Sequence, residues 1–197
     1  MKDFSVWLVT FVMVTFAVRY AYQVWRQDIS PTLSTWIIFL LGIGLSLATY
    51  AIAEERDFRS GILNTMDFVA VMIVLLSTIV WGNRKVRFKP FEKWYLGGIS
   101  IIIAYGLFSG DAWGSNIFTQ ILISIGYIPT IQNLLTEKRN VESFTGWGCA
   151  AIAGIIAIYP AIVDGNLLAV LYAFRTIVFV SIIIVVMTYY ELRSRKS

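Results

Sequence analysis

The chain has 197 residues, of which 58% are hydrophobic and only 14% are charged. A water-soluble domain of this size needs more charge to cover its surface, so the composition excludes an ordinary soluble protein. The net charge of +4 is small and is concentrated in one loop, so it bears on membrane topology rather than on nucleic-acid binding.

Seven apolar runs follow one another along the chain, most of them about as long as a helix that crosses a bilayer. The runs are continuous rather than alternating, which predicts helices and not the strands of a membrane barrel. The predicted spans cover residues 4–24, 33–53, 62–82, 94–109, 113–135, 145–162 and 167–190. The expected fold class is therefore all-α, in a polytopic membrane protein with seven transmembrane helices.

Positive charge is concentrated in the loop between the third and fourth spans, GNRKVRFKPFEK at residues 82–93. Basic residues close to a span end resist translocation, so this loop is expected on the cytoplasmic side. With seven spans, the N-terminus then lies outside, and the C-terminus, with Arg193 and Arg195, lies in the cytoplasm. The expected location is the plasma (inner) membrane.

The two halves of the chain contain similar segments. Gln23 and Gln132 lie near the ends of corresponding spans, and Trp36 and Trp147 follow them near the starts of the next spans, at almost the same interval along the chain. Three spans then belong to each half, and the fourth, shorter span lets both repeats point the same way across the membrane. The expected domains are a first three-helix bundle at 1–83, a basic loop and linker helix at 84–110, and a second three-helix bundle at 111–197.

This arrangement resembles the PQ-loop superfamily, through P-x-x-Q at Pro129 and Gln132 followed by S/T-x-W ending at Trp147. The SWEET sugar facilitators have the same order of three helices, a linker helix and three more, and bacterial nicotinamide-riboside facilitators are similar in layout. The resemblance implies transport by alternating access of a small neutral polar solute, such as a sugar or a vitamin or nucleoside. It also implies that Trp36 and Trp147 enclose the solute and that Asn64 faces it.

Uncharged amide groups provide further candidate solute contacts. Gln23 and Gln132 offer donors and an acceptor without charge, which suits a neutral polar solute at a pocket or an inner gate. Asn116 and Gln120 in the fifth span are candidate cavity residues, and hydrogen bonds between helices are the alternative role for both. For the two tryptophans the alternative is anchoring at the membrane interface.

Two ionisable residues fall inside predicted spans, where charge is costly. Asp67 in the third span and Arg175 in the seventh are separated by nearly the same interval as the two glutamines, so they occupy nearly equivalent positions in the two halves. We expect them to form a gate or a solute-binding pair. The alternatives are a fixed buried ion pair, or an Asp67 at the headgroup level with Arg175 extending outward.

Two prolines are candidate hinges. Pro129 removes a backbone donor near the end of the fifth span and is expected to kink it, as a carrier with a moving end requires. Pro160 near the end of the sixth span is a second hinge candidate, and it could equally end that helix. Membrane helices also tolerate proline where neighbouring groups satisfy the freed carbonyl.

Several functions conflict with the residues present. The chain has no histidine and no G-x-x-x-x-G-K-[ST] segment, so His-based metal sites, His-dependent triads and ATP-driven transport by this chain alone are not expected. Enzyme activity, a cofactor and a bound metal are likewise not expected. The expected partners are a small-molecule solute and the lipid bilayer, and the sequence is also compatible with a homo-oligomer. A membrane receptor or partner protein that does not transport is the alternative function, because one fold serves several functions.

Overall fold

A computed structural model of the chain describes residues 1–29, 31, 33–53, 58–82 and 90–194. These described residues form eight α-helical segments, which confirms the predicted all-α class. The segments are α1 (Lys2–Trp25), α2 (Leu33–Ala53), α3 (Ile62–Trp81), α4 (Pro90–Ser109), α5 (Ala112–Gly126), α6 (Ile128–Glu137), α7 (Phe144–Val163) and α8 (Leu167–Ser194).

Five of the helices, α1, α2, α3, α7 and α8, are long and apolar enough to cross a membrane. Each offers at least 20 residues for this, and a helix of that length extends about 30 Å, the thickness of the hydrocarbon core. The predicted fifth span is divided at Tyr127 into α5 and α6, of 15 and 10 residues. The apolar helices fit a multi-pass membrane protein.

Large apolar side chains cover much of the outside of the bundle. On α1, Phe4, Trp7 and Phe11 are exposed by 70%, 73% and 69%, and their spacing of three and four residues puts them on one face of the helix. Such a continuous apolar face is unfavourable in water, whereas lipid acyl chains accommodate it. The exterior therefore agrees with a membrane environment.

The helices of the two halves of the chain interlock. α1 packs mainly against α7 and α3, α2 packs mainly against α5 and α3, and α7 packs against α8. The first helix of each half thus lies against the second helix of the other half. This packing brings residues from both halves to the centre of the bundle.

Small residues on α7 allow α1 to approach it closely. A methyl group added at Gly146 would lie 2.9 Å from Tyr20 Cδ2 and 3.2 Å from Phe16 Cε2. Further along α7, Ala150, Ala153 and Ala157 are buried as well. Because small residues let helix backbones come together, the aromatic rings of α1 can reach the centre of the bundle.

One end of the bundle contains the N-terminus and the turn between α7 and α8. There Lys2 Nζ lies 2.6 Å from Asp164 Oδ2, and Asn166 Oδ1 accepts a hydrogen bond from the Ala169 amide at the start of α8. The predicted orientation depends on the basic loop at 84–89, the connection at 54–57 and the tail at 195–197, which lie outside the described residues.

Candidate functional site

A small cavity lies at the centre of the bundle, between the two halves of the chain. It measures about 20 Å³, enough for about one water molecule. Helices α1, α2, α3, α7 and α8 contribute to its walls, together with Tyr127 between α5 and α6. The wall residues are Phe16, Trp36, Phe39, Ile43, Asp67, Val71, Tyr127, Trp147, Ala150, Thr176 and Val180.

Trp36 and Trp147, the two tryptophans of the predicted repeat, meet in the wall of this cavity. Trp36 on α2 and Trp147 on α7 are buried, and their rings are stacked with centroids 6.5 Å apart and an interplanar angle of 23°. Tyr127 adds a third ring, with its centroid 6.1 Å from that of Trp147 and 5.0 Å from that of Phe39. Flat aromatic faces of this kind suit the CH surface of a sugar or a planar ring.

A buried carboxylate, which the sequence analysis did not select, holds one of these tryptophans. Glu142 Oε2 accepts hydrogen bonds from Tyr20 Oη at 2.7 Å and from Trp147 Nε1 at 3.2 Å. Burial raises the pKa of Glu142, and the hydrogen bonds from Tyr20 and Trp147 offset part of that rise. In the sequence, the only indication of this role is the position of Glu142, an acidic residue directly before Ser143 and close to the start of the sixth predicted span.

Gln23 lies beside this carboxylate. Ser143 Oγ donates to Gln23 Oε1 and also accepts from the Gly146 amide, so it caps the start of α7. Gln23 therefore connects the end of α1 to the first turn of α7, close to the tryptophan pair. Gln132, its predicted counterpart, lies on the exposed face of α6 and is not among the cavity wall residues.

The two intramembrane charges lie on opposite sides of a tyrosine. Tyr172 Oη donates to Asp67 Oδ2 at 2.6 Å, and the guanidinium carbon of Arg175 lies 4.4 Å from the centre of the Tyr172 ring. In the described part of the chain, no direct ion pair joins Asp67 to Arg175. The direct pairing suggested by the sequence is thus replaced by a bridge through Tyr172, which lies about one helical turn before Arg175.

The remaining amide candidates form a separate polar network between α2, α3 and α5, arranged around Ser46. Ser46 Oγ accepts from Asn64 Nδ2 at 3.1 Å and from Gln120 Nε2 at 2.8 Å. Asn116 Nδ2 donates to the Ser46 carbonyl at 2.8 Å. These amides join helices and are not among the residues that form the cavity wall. Among the described residues, Asn64 Oδ1 and Gln120 Oε1 have no hydrogen-bond partner.

Both hinge candidates are buried prolines next to helix ends. Pro129 is the second residue of α6, directly after the break at Tyr127. Tyr127 itself keeps right-handed helical dihedral angles, φ −75° and ψ −19°, so the interruption lies two residues before the predicted kink. The proline falls in a first turn, where its missing donor costs least. Pro160 lies in the last turn of α7, and its carbonyl accepts from the Asp164 amide at 3.1 Å.

A metal site does not emerge from the described residues, among which no three His, Cys, Asp or Glu side chains are grouped to hold an ion. The arrangement instead offers aromatic faces, one carboxylate and hydroxyl groups around a small space. Such a site can bind and release a solute without covalent chemistry. Comparisons with protein-family models, with curated proteins and with solved structures give no match to this chain.

Proposed function

We propose that this chain is a membrane carrier that moves a small polar solute by alternating access. The observation that carries the proposal is the stacked pair of Trp36 and Trp147, which come from different halves of the chain and enclose one side of a central cavity. The resemblance to the PQ-loop superfamily implies the same function. The solute classes in question are sugars and vitamins or nucleosides.

The packing of the helices supports two parallel repeats. α1 against α7 and α5 against α2 are the contacts that a rotation exchanging the two halves would relate. We propose seven transmembrane helices, with bundles at 1–83 and 111–197 joined by the linker helix within 84–110. The N-terminus lies outside and the C-terminus in the cytoplasm of a plasma (inner) membrane, following the basic loop at 82–93.

The size of the cavity supports a mechanism with moving walls. Sites that enclose small molecules measure about 300–1,000 Å³, whereas this cavity measures about 20 Å³. A solute therefore requires the aromatic walls to separate. We propose that the Tyr127 break and Pro129 form the hinge on which α6 moves, since proline removes one backbone hydrogen bond from the joint. Pro160 would give α7 a similar freedom at its other end.

Solute uptake by reconstituted protein tests the carrier directly. The parent chain in liposomes is given a defined mixture of sugars, nucleosides, B vitamins and small organic acids, including benzoate and lactate, and the solutes retained in the vesicles are measured by mass spectrometry. We expect at least one solute to enter faster than into protein-free vesicles. Trp147→Ala should slow that uptake at least tenfold, because it removes one of the two stacked rings.

The matched control is Trp113→Ala, since Trp113 is a half-exposed tryptophan on α5 outside the cavity wall. This variant should transport at the parent rate. Uptake of every solute at the protein-free rate would contradict the carrier.

The second candidate function is a receptor that binds a solute and does not move it. The aromatic wall beside a space of about one water molecule is compatible with such a role, because the fold alone does not determine function. A receptor would be stabilised by its ligand and would show no uptake in the same vesicles. The two measurements together therefore separate the two functions.

A further inference from the structure

Arg175 is a buried charge with unused hydrogen-bonding groups. Its residue surface is 6% exposed, and among the described residues its Nε and Nη1 atoms have no hydrogen-bond partner. Nη2 donates to Thr176 Oγ1 over a long 3.3 Å. A buried guanidinium normally has its donors satisfied and an opposite charge in contact. Arg175 has neither.

The groups around Arg175 only partly compensate its charge. The rings of Tyr172 and Tyr127 lie 4.4 Å and 5.9 Å from its guanidinium carbon, and such contacts provide some cation–π attraction. The carboxylate of Asp67 is bonded by Tyr172 Oη at 2.6 Å and does not reach the guanidinium. A negative group that binds from outside the chain would therefore meet an unsatisfied cation.

The guanidinium lies directly behind the wall of the central cavity. Thr176, which accepts its Nη2 donor, is a wall residue, and so is Tyr127, whose ring faces it. The hinge proposed above lies at Tyr127, where α5 and α6 meet. Movement of the Tyr127 ring would connect the Arg175 donors to the space between the two tryptophans.

We propose that Arg175 binds the carboxylate of the transported solute, so that the substrate is a small organic acid with a flat or apolar body. This inference rests on the proposed carrier function and replaces the neutral solute expected from the sequence. The planar donors of arginine match a carboxylate, and the rings of Trp36 and Trp147 would contact the body of the acid. A phosphate dianion is less suitable, because Asp67 in the same wall repels both of its charges, whereas a carboxylate carries only one.

Matched acids and amides test this substrate class on the purified full chain in detergent. Benzoate is compared with benzamide and lactate with lactamide, at fixed pH and ionic strength, by the ligand-dependent shift of thermal unfolding. Inorganic phosphate is the third probe. We expect the carboxylates to stabilise the parent at concentrations at least tenfold lower than their amides, and phosphate to have no such effect.

Variants assign the effect to Arg175. Arg175→Gln should abolish the preference for carboxylate over amide, and Arg175→Lys should bind carboxylate at least tenfold more weakly than the parent, because it keeps the charge without the planar donors. Arg19→Gln is the matched control, since Arg19 is an exposed arginine on α1 that contacts the Tyr22 ring. It should keep the full preference.

Three outcomes would overturn the proposal: equal shifts by acids and amides in the parent, a preference that survives in Arg175→Gln, or phosphate acting as well as the carboxylates. The first and third outcomes are measured on the parent chain, so they test the proposal even if Arg175→Gln does not fold. Uptake in liposomes separates this inference from the carrier. If carboxylates bind in an Arg175-dependent way but are not taken up, the binding site stands and the carrier function is refuted. If neutral solutes are taken up independently of Arg175, the carrier function stands and the carboxylate site is refuted.

Discussion

Glu142 and Arg175 are buried charges of opposite sign that each contact wall residues of the same cavity, and their hydrogen bonding differs. Glu142 is 7% exposed, and its Oε2 accepts from Tyr20 on α1 and Trp147 on α7. Arg175 is 6% exposed, and two of its three nitrogens have no partner among the described residues. The Glu142 carboxylate is hydrogen-bonded within the protein, whereas the Arg175 guanidinium keeps donors that could bind a solute.

This difference separates a structural charge from a binding charge. A carboxylate that accepts two buried donors ties together the helices that supply them, and its removal leaves both donors unsatisfied. A guanidinium with free donors contributes little to the packing, and its desolvation is a cost that the fold bears. Measured stabilities of variants at the two positions should therefore differ in size.

The largest effect is expected for Glu142→Ala. The change leaves Tyr20 Oη and Trp147 Nε1 buried without an acceptor, and each such loss costs about 1–3 kcal/mol. Removal of the buried carboxylate also removes its desolvation cost, which offsets part of that sum, so the free energy of unfolding should fall by about 2–4 kcal/mol. Reversible unfolding in mixed detergent micelles measures it. Glu137→Ala is the control, because Glu137 is exposed and, within the described part of the chain, pairs only with Arg139 at 3.6 Å. Equal stabilities of the two variants would show that Glu142 ties no helices together.

A smaller loss is expected for the neutral counterpart of this arrangement, Ser46→Ala. Ser46 Oγ accepts from Asn64 and Gln120, so two donors again lose an acceptor, but without charge assistance such bonds are about half as strong. We expect a loss of about 1–2 kcal/mol in the same unfolding measurement. Ser100→Ala, at an exposed serine whose side chain donates to the Leu96 carbonyl of its own helix, should leave stability unchanged. If Ser46→Ala lost as much stability as Glu142→Ala, the charge of Glu142 would not account for its effect.

A still smaller change is expected for Arg175→Met. The variant loses the contact with the Tyr172 ring and the long bond to Thr176, but it also removes the desolvation of an unpaired charge. These terms oppose each other, so the free energy of unfolding should change by no more than about 1 kcal/mol. A loss as large as that of Glu142→Ala would mean that Arg175 is structural, and the comparison of the two charges would fail.

The lengths of the helices could be predicted from the sequence because apolar runs end where charged residues, glycine or proline begin. The spans at 33–53 and 62–82 match α2 (Leu33–Ala53) and α3 (Ile62–Trp81) within one residue. A kink was predicted at Pro129, two residues from the interruption at Tyr127, but its form was not, since a proline can either kink a helix or start a new one. Local composition does not distinguish these two cases.

The side-chain contacts of the site were harder to predict from the sequence than the heights of its residues along the helices. The repeat put Asp67 and Arg175 at similar heights in the two halves, but it could not say that Tyr172 lies between them. The height of a residue in the bundle follows from its position along a helix. The neighbour that its side chain contacts depends on how whole helices are rotated and packed against each other. Glu142 had no such signal, because its partner Tyr20 lies far away in the chain, on the first helix.

The smallest expected effect is the dependence of stability on pH through Glu142. Its pKa is raised in the folded protein, chiefly by burial, so the folded state holds the proton more tightly than the unfolded state. This group therefore stabilises the fold at pH values below its ordinary pKa, and the contribution is lost as pH rises toward the folded-state pKa.

The chain has 12 acidic residues, so the effect must be measured as the difference between the parent and Glu142→Gln. We expect the parent to lose stability relative to this variant as pH rises from about 4.3, the ordinary pKa of a glutamate. A difference that stays constant with pH would show that Tyr20 and Trp147 fully compensate the burial of the carboxylate, and Glu142 would then be a still stronger contrast to Arg175.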